Sequence, residues 1–397
     1  MHFSLSSLIN VTFACCILTG IILLLLRSNR RLVRFGTTFA VVISVAVMLR
    51  FLIPVEFAFT KSVYEYKIFY SIYHFIIDDF TAIGTLQISI GDILLVIWIT
   101  GAIVRLIMVA LQYVYFYKFC MACPSLKNEL ILKTFSSVHE EMGKYKRFHL
   151  LHSDAVSTPM AFGIFKSFII IPSLDFDEEN WGYILKHELT HYYRGHLLCK
   201  LLCEIMCCVY WWNPAVYLFR TFISTLLEMD VDTKITRSLT DEQVINYLYC
   251  LADVAKLQIL RRKQSSQCPW ALTFTSYTNG YFIKRCRFIM ACMENKDKRS
   301  VFPMIALGTV MTAFLLASVL VIIEPSSHLE DVAIEMEDDS LWNFSQEGCF
   351  LLQDGSDAYI TYINWVPDST LQEIPANDPN IRIYSSLEEA YENEPKK

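Results

Sequence analysis

Four long apolar runs dominate the chain, at residues 8–26, 35–53, 91–114 and 301–323. As a helix, each run is close to the length that crosses a hydrocarbon core of ~30 Å. The chain also has 54% hydrophobic residues and a mean hydropathy of +0.37, which is unusual for a soluble protein. The pattern predicts a mainly α-helical membrane protein with four transmembrane helices.

Basic residues predict the orientation of these helices. Four arginines, Arg27, Arg30, Arg31 and Arg34, follow the first run, and no Lys or Arg precedes them. Because Lys and Arg favour the cytoplasmic side, we expect the N-terminus to be extracellular. The expected organisation is three transmembrane helices with an outer loop (1–117, loop 54–90), a cytoplasmic domain (118–300), a fourth transmembrane helix (301–323) and a tail (324–397).

The tail is short and acidic, with 3 Lys or Arg against 17 Asp or Glu in residues 324–397. The expected cytoplasmic domain, residues 118–300, instead has 23 against 18. This asymmetry agrees with the positive-inside rule and predicts an extracellular tail, so that both termini lie outside the cell. The formal net charge of −6 is therefore mostly a property of the tail.

The clearest chemical signal is the sequence HELTH at residues 187–191. His187 and His191 are four residues apart and project from one side of a helix, so both imidazoles can bind one zinc ion. Glu188 stands beside that metal, in the position of a general base that takes a proton from metal-bound water. An acidic turn at residues 175–179 favours a helix that begins shortly before the motif.

Two short strands are expected before this helix, at residues 148–151 and 167–171. The segment 157–164 connects them, with bends at Pro159 and Gly163. The strand that leads into the motif helix suggests the edge along which many zinc peptidases pair with an extended substrate. A buried hairpin packed on the helix is the alternative.

A helical hairpin is expected after the motif. Residues 197–212 form an apolar arm of roughly 24 Å, and the steps from Pro214 to Glu228 form a return arm of roughly 21 Å. Because the arms nearly match, a turn at residues 211–214 brings Glu228 back to the histidines, with the hairpin tip in the inner leaflet.

Glu228 is thus the expected third zinc ligand. Asp232, one helical turn later, is expected to accept the ring N–H of a ligand histidine. On spacing alone, Asp230, Asp232 and His196 are rival ligands.

Several stretches together resemble a known family. They are Thr-Pro-Met-Ala-Phe-Gly at 158–163, Ile-Ile-Ile-Pro-Ser at 169–173, HELTH, Arg194, Trp-Trp-Asn-Pro at 211–214, and Glu228 with Asp232. The chain resembles, over residues 1–325, the membrane zinc metallopeptidases of the beta-lactam sensor-transducer family, the bla and mec regulatory sensors.

The resemblance implies a cytoplasmic, gluzincin-like α+β zinc peptidase domain between the third and fourth transmembrane helices. Its zinc ligands fall on His187, His191 and Glu228, and its catalytic glutamate falls on Glu188. The family also implies a response to an outside signal by proteolysis, ending in the loss of a winged-helix transcriptional repressor. Cleavage of the sensor's own chain before that step is an open expectation.

Two features depart from the family pattern. The family commonly has an aspartate five residues after the second histidine, where this chain has His196, which affects the immediate surroundings of the ligands. Full sensors also carry a penicillin-binding domain with a Ser-x-x-Lys motif, whereas residues 369–372 are Ser-Thr-Leu-Gln. We therefore expect a shortened tail that a beta-lactam does not acylate.

These observations predict an integral-membrane zinc endopeptidase that transduces an extracellular signal by cleaving a cytoplasmic repressor. The expected partners are that repressor, the lipid bilayer and, as a candidate homodimer, a second copy of the chain, without direct contact to nucleic acid. Two alternatives stay open. One is a housekeeping membrane zinc protease of the prenyl-processing or quality-control type, and the other is a non-enzymatic receptor with a structural metal.

Overall fold

The computed structural model describes most of the chain and divides it into two compact units. The first unit comprises residues 1–63 and 73–324, and the second comprises residues 64–72 and 325–397. Arg27, most of the expected outer loop and most of the acidic tail lie outside the described residues. The described residues are 5–26, 28–54, 60–65, 79–83, 86–143, 146–264, 279–294, 301–325, 349–353, 359–363, 366–371 and 383–384.

Helices dominate the described part of the chain, as the mainly α prediction requires. In chain order they are α1 (Leu5–Leu26), α2 (Asn29–Phe35), α3 (Thr37–Leu52), α4 (Ile90–Ala122), α5 (Glu129–Glu141), α6 (Glu178–Tyr193), α7 (His196–Val209), α8 (Pro214–Thr236), α9 (Asp241–Gln264), α10 (Asn279–Glu294) and α11 (Val301–Leu320).

The strands are short. In chain order they are β1 (Lys61–Glu65), β2 (Asp79–Ile83), β3 (Leu86–Ser89), β4 (Phe148–His152), β5 (Met160–Phe162), β6 (Ser167–Ile171), β7 (Val321–Pro325), β8 (Cys349–Gln353), β9 (Tyr359–Ile363), β10 (Val366–Leu371) and β11 (Ile383–Tyr384). The second unit holds a four-stranded sheet in the order β10-β9-β8-β11.

A three-stranded sheet precedes the motif helix, in the order β4-β6-β5. The sequence predicted β4 and β6 at nearly these bounds, but it treated β5 as part of a connection. β6, the strand before the motif helix, pairs with β4 in parallel and with β5 antiparallel, so it is the central strand. The expected edge is therefore corrected from β6 to β5.

α4 is the described helix that is long and apolar enough to cross a membrane by itself. Its 33 residues make about 50 Å of helix, and its most apolar window is not buried within the protein. α1 and α2 make a second candidate if they count as one span, but they are bent by 105°. α3 and α11 have shorter apolar stretches, so the four-span arrangement stays a prediction.

α8 is the central helix of the first unit. Asn213 caps it by accepting a hydrogen bond from Ala215 N, and Pro214 suits the first helical position because that N–H has no helical partner. Its N-terminal half packs with α1, α3 and α7 in one apolar core. Val231 and Ile235, in its last turns, pack with α6 and α9 in another. One helix thus joins both cores.

The turn between α7 and α8 packs against α4. Trp211 Nε1 donates to Trp98 O at 3.2 Å, and Trp98 Nε1 donates to Val209 O at 2.8 Å. Within the hairpin, Arg220 of α8 donates to Glu204 of α7 at 2.7 Å. The predicted pair of helical arms is confirmed, and its turn contacts an apolar part of α4.

Gly101 leaves room for this contact, because a Cβ at this position would overlap the Trp211 ring. We expect Gly101→Ala to displace the turn from α4 and to destabilise the protein by about 1–3 kcal/mol. Gly20 of α1 is a matched control, since nothing lies within 4 Å of its added Cβ. Gly20→Ala should leave the melting temperature unchanged or raised. Thermal unfolding in detergent measures both, and equal melting temperatures would contradict the close packing of Trp211.

Candidate metal centre

The HELTH motif lies in the second half of α6. Asp177 caps this helix by accepting a hydrogen bond from Asn180 N at 2.9 Å, and the first turn is acidic, as the helix dipole favours. His187 and His191 share one face of the helix, and their Nε2 atoms are 3.2 Å apart. Both side chains are buried.

Glu228 of α8 faces both imidazoles. Its Oε2 lies 3.3 Å from His187 Nε2, and its Oε1 lies 3.4 Å from His191 Nε2. One ligand atom from each of the three buried residues lies within 4.8 Å of the others. Two imidazole nitrogens and one carboxylate are the donor set of many catalytic zinc sites, so these residues fit a zinc ion.

The surroundings leave His191 and Glu228 in the forms that bind a metal. Burial lowers the pKa of His191 to about 3, so the ring is neutral at pH 7. Burial alone would raise the pKa of Glu228, but its interactions with His191 and Lys200 and the imidazole hydrogen bonds hold this pKa well below its ordinary value. Lys200 Nζ is 3.5 Å from Glu228 Oε1. Neutral imidazole and ionised carboxylate are the zinc-binding forms.

A tyrosine hydroxyl separates His187 from the aspartate expected to bind it. Asp232 Oδ1 lies 3.8 Å from His187 Nδ1, too far for a direct hydrogen bond. Tyr247 OH lies 3.1 Å from the same nitrogen and donates to Asp232 at 2.7 Å. Arg285 donates to both oxygens of Asp232, at 2.7 and 2.8 Å. The expected direct contact is thus corrected to a relay, which leaves His187 Nε2 facing Glu228.

His196 makes the corresponding contact to the second histidine. Its Nδ1 lies 3.1 Å from His191 Nδ1, and its Nε2 lies 3.4 Å from Asp230 Oδ2. Burial lowers the pKa of His196, so its neutral ring has one accepting nitrogen and one N–H. His191 Nε2 is free for a metal when His191 Nδ1–H donates to His196 Nδ1. His196 and Asp230 therefore lie around the three facing groups rather than among them.

Glu188 lies in the same cavity and contacts the edge strand. Its Oε2 accepts a hydrogen bond from Ala161 N of β5 at 2.9 Å. Burial raises the pKa of Glu188 and the Glu228 charge adds to the rise, whereas His187 and the Ala161 N–H oppose it. A raised pKa suits a general base that takes and returns a proton near neutral pH.

The histidines, Glu188 and Glu228 line a cavity of about 140 Å³. β5 forms one wall, and Lys200 and Arg285 contribute positive charge. A cavity with apolar walls and a few convergent polar groups is typical of a binding site. Apolar lining residues include Ile184, Leu201, Leu251, Val254 and Phe282.

Sequence reasoning missed Tyr247, Lys200 and Arg285. Lys200 had a weak signal, because it is one of two charged residues in the apolar arm 197–212. Tyr247 is one of 21 tyrosines, and Arg285 lies 53 residues beyond Asp232. Neither of these two has a local pattern that marks it.

Known proteins match parts of this chain. The model of the BlaR1 peptidase M56 family matches residues 6–280. Regulatory protein BlaR1 of Bacillus licheniformis is 24% identical over 300 residues, which cover 73% of this chain and 48% of that protein. The methicillin resistance mecR1 protein of Staphylococcus aureus is 25% identical over 165 residues, which cover 40% of this chain and 28% of that protein. The chain thus matches about half the length of the BlaR1 protein and a smaller part of the mecR1 protein.

Tyr247→Phe tests the relay to His187, because it removes the hydroxyl and keeps the ring. We expect zinc to bind about 10- to 100-fold more weakly, since His187 loses the group that orients it. Tyr249→Phe on the same helix is the matched control, because Tyr249 is 69% exposed. Competition with a zinc chelator measures both affinities. Equal affinity in the two variants would show that the hydroxyl does not orient His187.

Proposed function

Because this chain belongs to the BlaR1 peptidase M56 family, we propose that it is an integral-membrane zinc endopeptidase that acts as a signal transducer. The observation that carries the proposal is the convergence of the buried residues His187, His191 and Glu228 beside Glu188 in one cavity. A receptor with a merely structural metal has no need of a partly buried glutamate beside the ligands.

The chain's own residues supply the steps around the metal. A zinc ion on His187, His191 and Glu228 would supply a Lewis acid and an activated water. Glu188 takes the proton of the attacking water and returns it to the leaving amine nitrogen. The positive charges of Lys200 and Arg285 favour the anionic form of Glu228 and stabilise negative charge that develops in the cavity.

We propose that the substrate binds as an extended segment along β5. This strand is at one edge of its sheet, and Ala161 N–H points away from β6, toward Glu188. Backbone pairing with an edge strand requires an extended partner, so the enzyme would cut exposed segments rather than folded domains. The substrate carbonyl then takes the place of Glu188 on Ala161 N–H and frees the glutamate for proton transfer.

For the membrane, we propose the organisation expected from the sequence. It comprises three transmembrane helices in residues 1–117, a cytoplasmic peptidase domain in 118–300, a fourth helix at 301–323 and an extracellular tail. The contacts of Arg50 support it, because its guanidinium near the end of α3 donates to Ser318 O near the end of α11 at 2.6 Å. α3 and α11 therefore end on the same side, as second and fourth spans must.

The proposed substrate is a cytoplasmic winged-helix repressor, with self-cleavage as a further proposal. Support comes from the matched relatives, one of which is a regulatory protein and the other a methicillin resistance protein by name. These names favour the signalling role over the housekeeping-protease alternative. In this role the protein acts on transcription through the repressor, without itself contacting nucleic acid.

Replacing the proposed base separates catalysis from zinc binding. We expect Glu188→Ala to retain zinc and to lose at least about 100-fold of its cleavage rate, because the proton acceptor is gone while the ligands stay. Metal analysis of the purified protein and cleavage of the repressor in membranes measure the two properties.

The matched control is Glu178→Ala, since Glu178 is an exposed glutamate in the first turn of the same helix. It should retain both zinc and cleavage. Full cleavage by the Glu188 variant would overturn the assignment of the base, and a parent protein without zinc would overturn the proposed function.

Reporter fusions test the proposed organisation. Truncations after Phe35 and after Gln264 should give an active cytoplasmic reporter, β-galactosidase. Truncations after Ile53 and after Glu324 should instead give active alkaline phosphatase, which folds outside the cytoplasm. The opposite assignment at any of these positions would reject the four-span arrangement.

A further inference from the structure

Asp230 connects the first turn of α3 to the surroundings of the metal centre. Thr37 and Thr38, the first two residues of α3, donate their hydroxyl hydrogens to Asp230 Oδ1 at 2.9 and 3.1 Å. These threonines are more than 190 residues away in sequence. The proposed transmembrane helix α3 therefore binds the helix that carries Glu228.

The other oxygen of Asp230 faces the turn between α6 and α7. Arg194 Nε contacts Oδ2, and His196 Nε2 lies 3.4 Å from it. Arg194 also donates to Thr38 Oγ1 at 3.1 Å. Arg194 and Thr38, which both contact the Asp230 carboxylate, therefore also contact each other. Asp230 is 1% exposed, and a buried carboxylate keeps such partners because losing one leaves charge without compensation.

His196 extends this connection to a metal ligand. Its second ring nitrogen, Nδ1, lies 3.1 Å from His191 Nδ1. The path from α3 to the proposed zinc ligand thus consists of a threonine hydroxyl, the Asp230 carboxylate and one imidazole. His196 in turn lies against the Asp230 carboxylate, and a ligand imidazole whose partner is held in this way has a restricted ring orientation.

At its other end, α3 is bound to α11. Arg50 donates to Ser318 O at 2.6 Å and to Ser318 Oγ at 3.3 Å. From Thr37 to Arg50, α3 spans about 20 Å between these two points of attachment. A displacement of α11 that pulls on Arg50 would therefore move Thr37 and Thr38 relative to Asp230.

We propose that Asp230 and His196 are positioning residues through which α3 sets the orientation of His191 and hence the zinc affinity of the site. The proposal rests on the proposed function, because it takes His191 as a zinc ligand. It adds a chain of side-chain contacts between the proposed transmembrane helix α3 and one ligand.

The test measures zinc itself on the purified full chain in nanodiscs, by competition with a chelator. Thr37→Val with Thr38→Val removes both hydroxyls and nearly preserves side-chain shape. We expect zinc to bind about 10-fold more weakly. Cobalt substituted for zinc should show a changed visible spectrum, which a general loss of stability does not produce. Thr233→Val is the matched control, because among the described residues the hydrogen bond of this buried α8 hydroxyl stays within its own helix, at Met229 O.

Variants of His196 test the path. His196→Ala should weaken zinc binding as much as the threonine pair, and the threonine changes should add nothing in that background. His196→Asn should restore part of the affinity, because its amide oxygen offers an acceptor near the position of Nδ1. If the double substitution of Thr37 and Thr38 prevents folding, the Thr38→Val variant is measured in its place and judged by the same outcomes, since Thr38 is exposed.

The outcomes separate the two proposals. Zinc affinity and cobalt spectrum equal to those of Thr233→Val would overturn the link to α3 and leave the proposed function intact. Additive effects of the threonine and His196 changes would overturn the path through His196. A parent protein that binds no zinc would overturn the proposed function, and this inference with it.

Discussion

The structure depends on burying three carboxylates of one helix. Glu228, Asp230 and Asp232 of α8 are 5%, 1% and 0% exposed. An ionised carboxylate without water is strongly destabilising unless it is paired and hydrogen-bonded. Each carboxylate therefore contacts partners from distant parts of the chain. Glu228 contacts the α6 histidines and Lys200. Asp230 contacts the start of α3 and the α6–α7 turn, and Asp232 contacts α9 and α10. The carboxylates thus determine which elements must meet around α8.

Helix geometry decides which partners each carboxylate contacts. With 3.6 residues per turn, Glu228 and Asp232 lie on one face of α8, and Asp230 lies nearly opposite. The first face turns toward α6, so Glu228 reaches the imidazoles, and Asp232 reaches Tyr247 one turn later. The opposite face turns toward α3. Because His196 begins α7 beside the end of α6, it reaches from Asp230 back to His191, and both faces of α8 act on the same histidine pair.

Local patterns predicted the parts that follow from one helix or one turn. The 3.6-residue helical period predicted that the HELTH histidines share one face, and the matching arm lengths predicted that Glu228 lies near them. Tyr247 and Arg285 were not predictable, because their contacts depend on how α9 and α10 pack against α8. The apolar runs likewise located α1, α3, α4 and α11, but hydropathy carries no signal for the bend between α1 and α2. The roles of the site residues and the spans stay predictions.

The position of α8 connects the proposed transmembrane helices α3 and α4 to the proposed chemistry. At its start, the Trp211 turn packs against α4, and further along, Asp230 binds α3. Zinc held between α6 and α8 would bind only the packed arrangement of these helices, so its binding energy stabilises their packing. By the same linkage, a change in α3 or α4 that shifts α8 would displace Glu228, the proposed third ligand, and lower the zinc affinity. In the proposed function, a signal from the membrane needs no separate messenger to reach the metal, because both act on the placement of one helix.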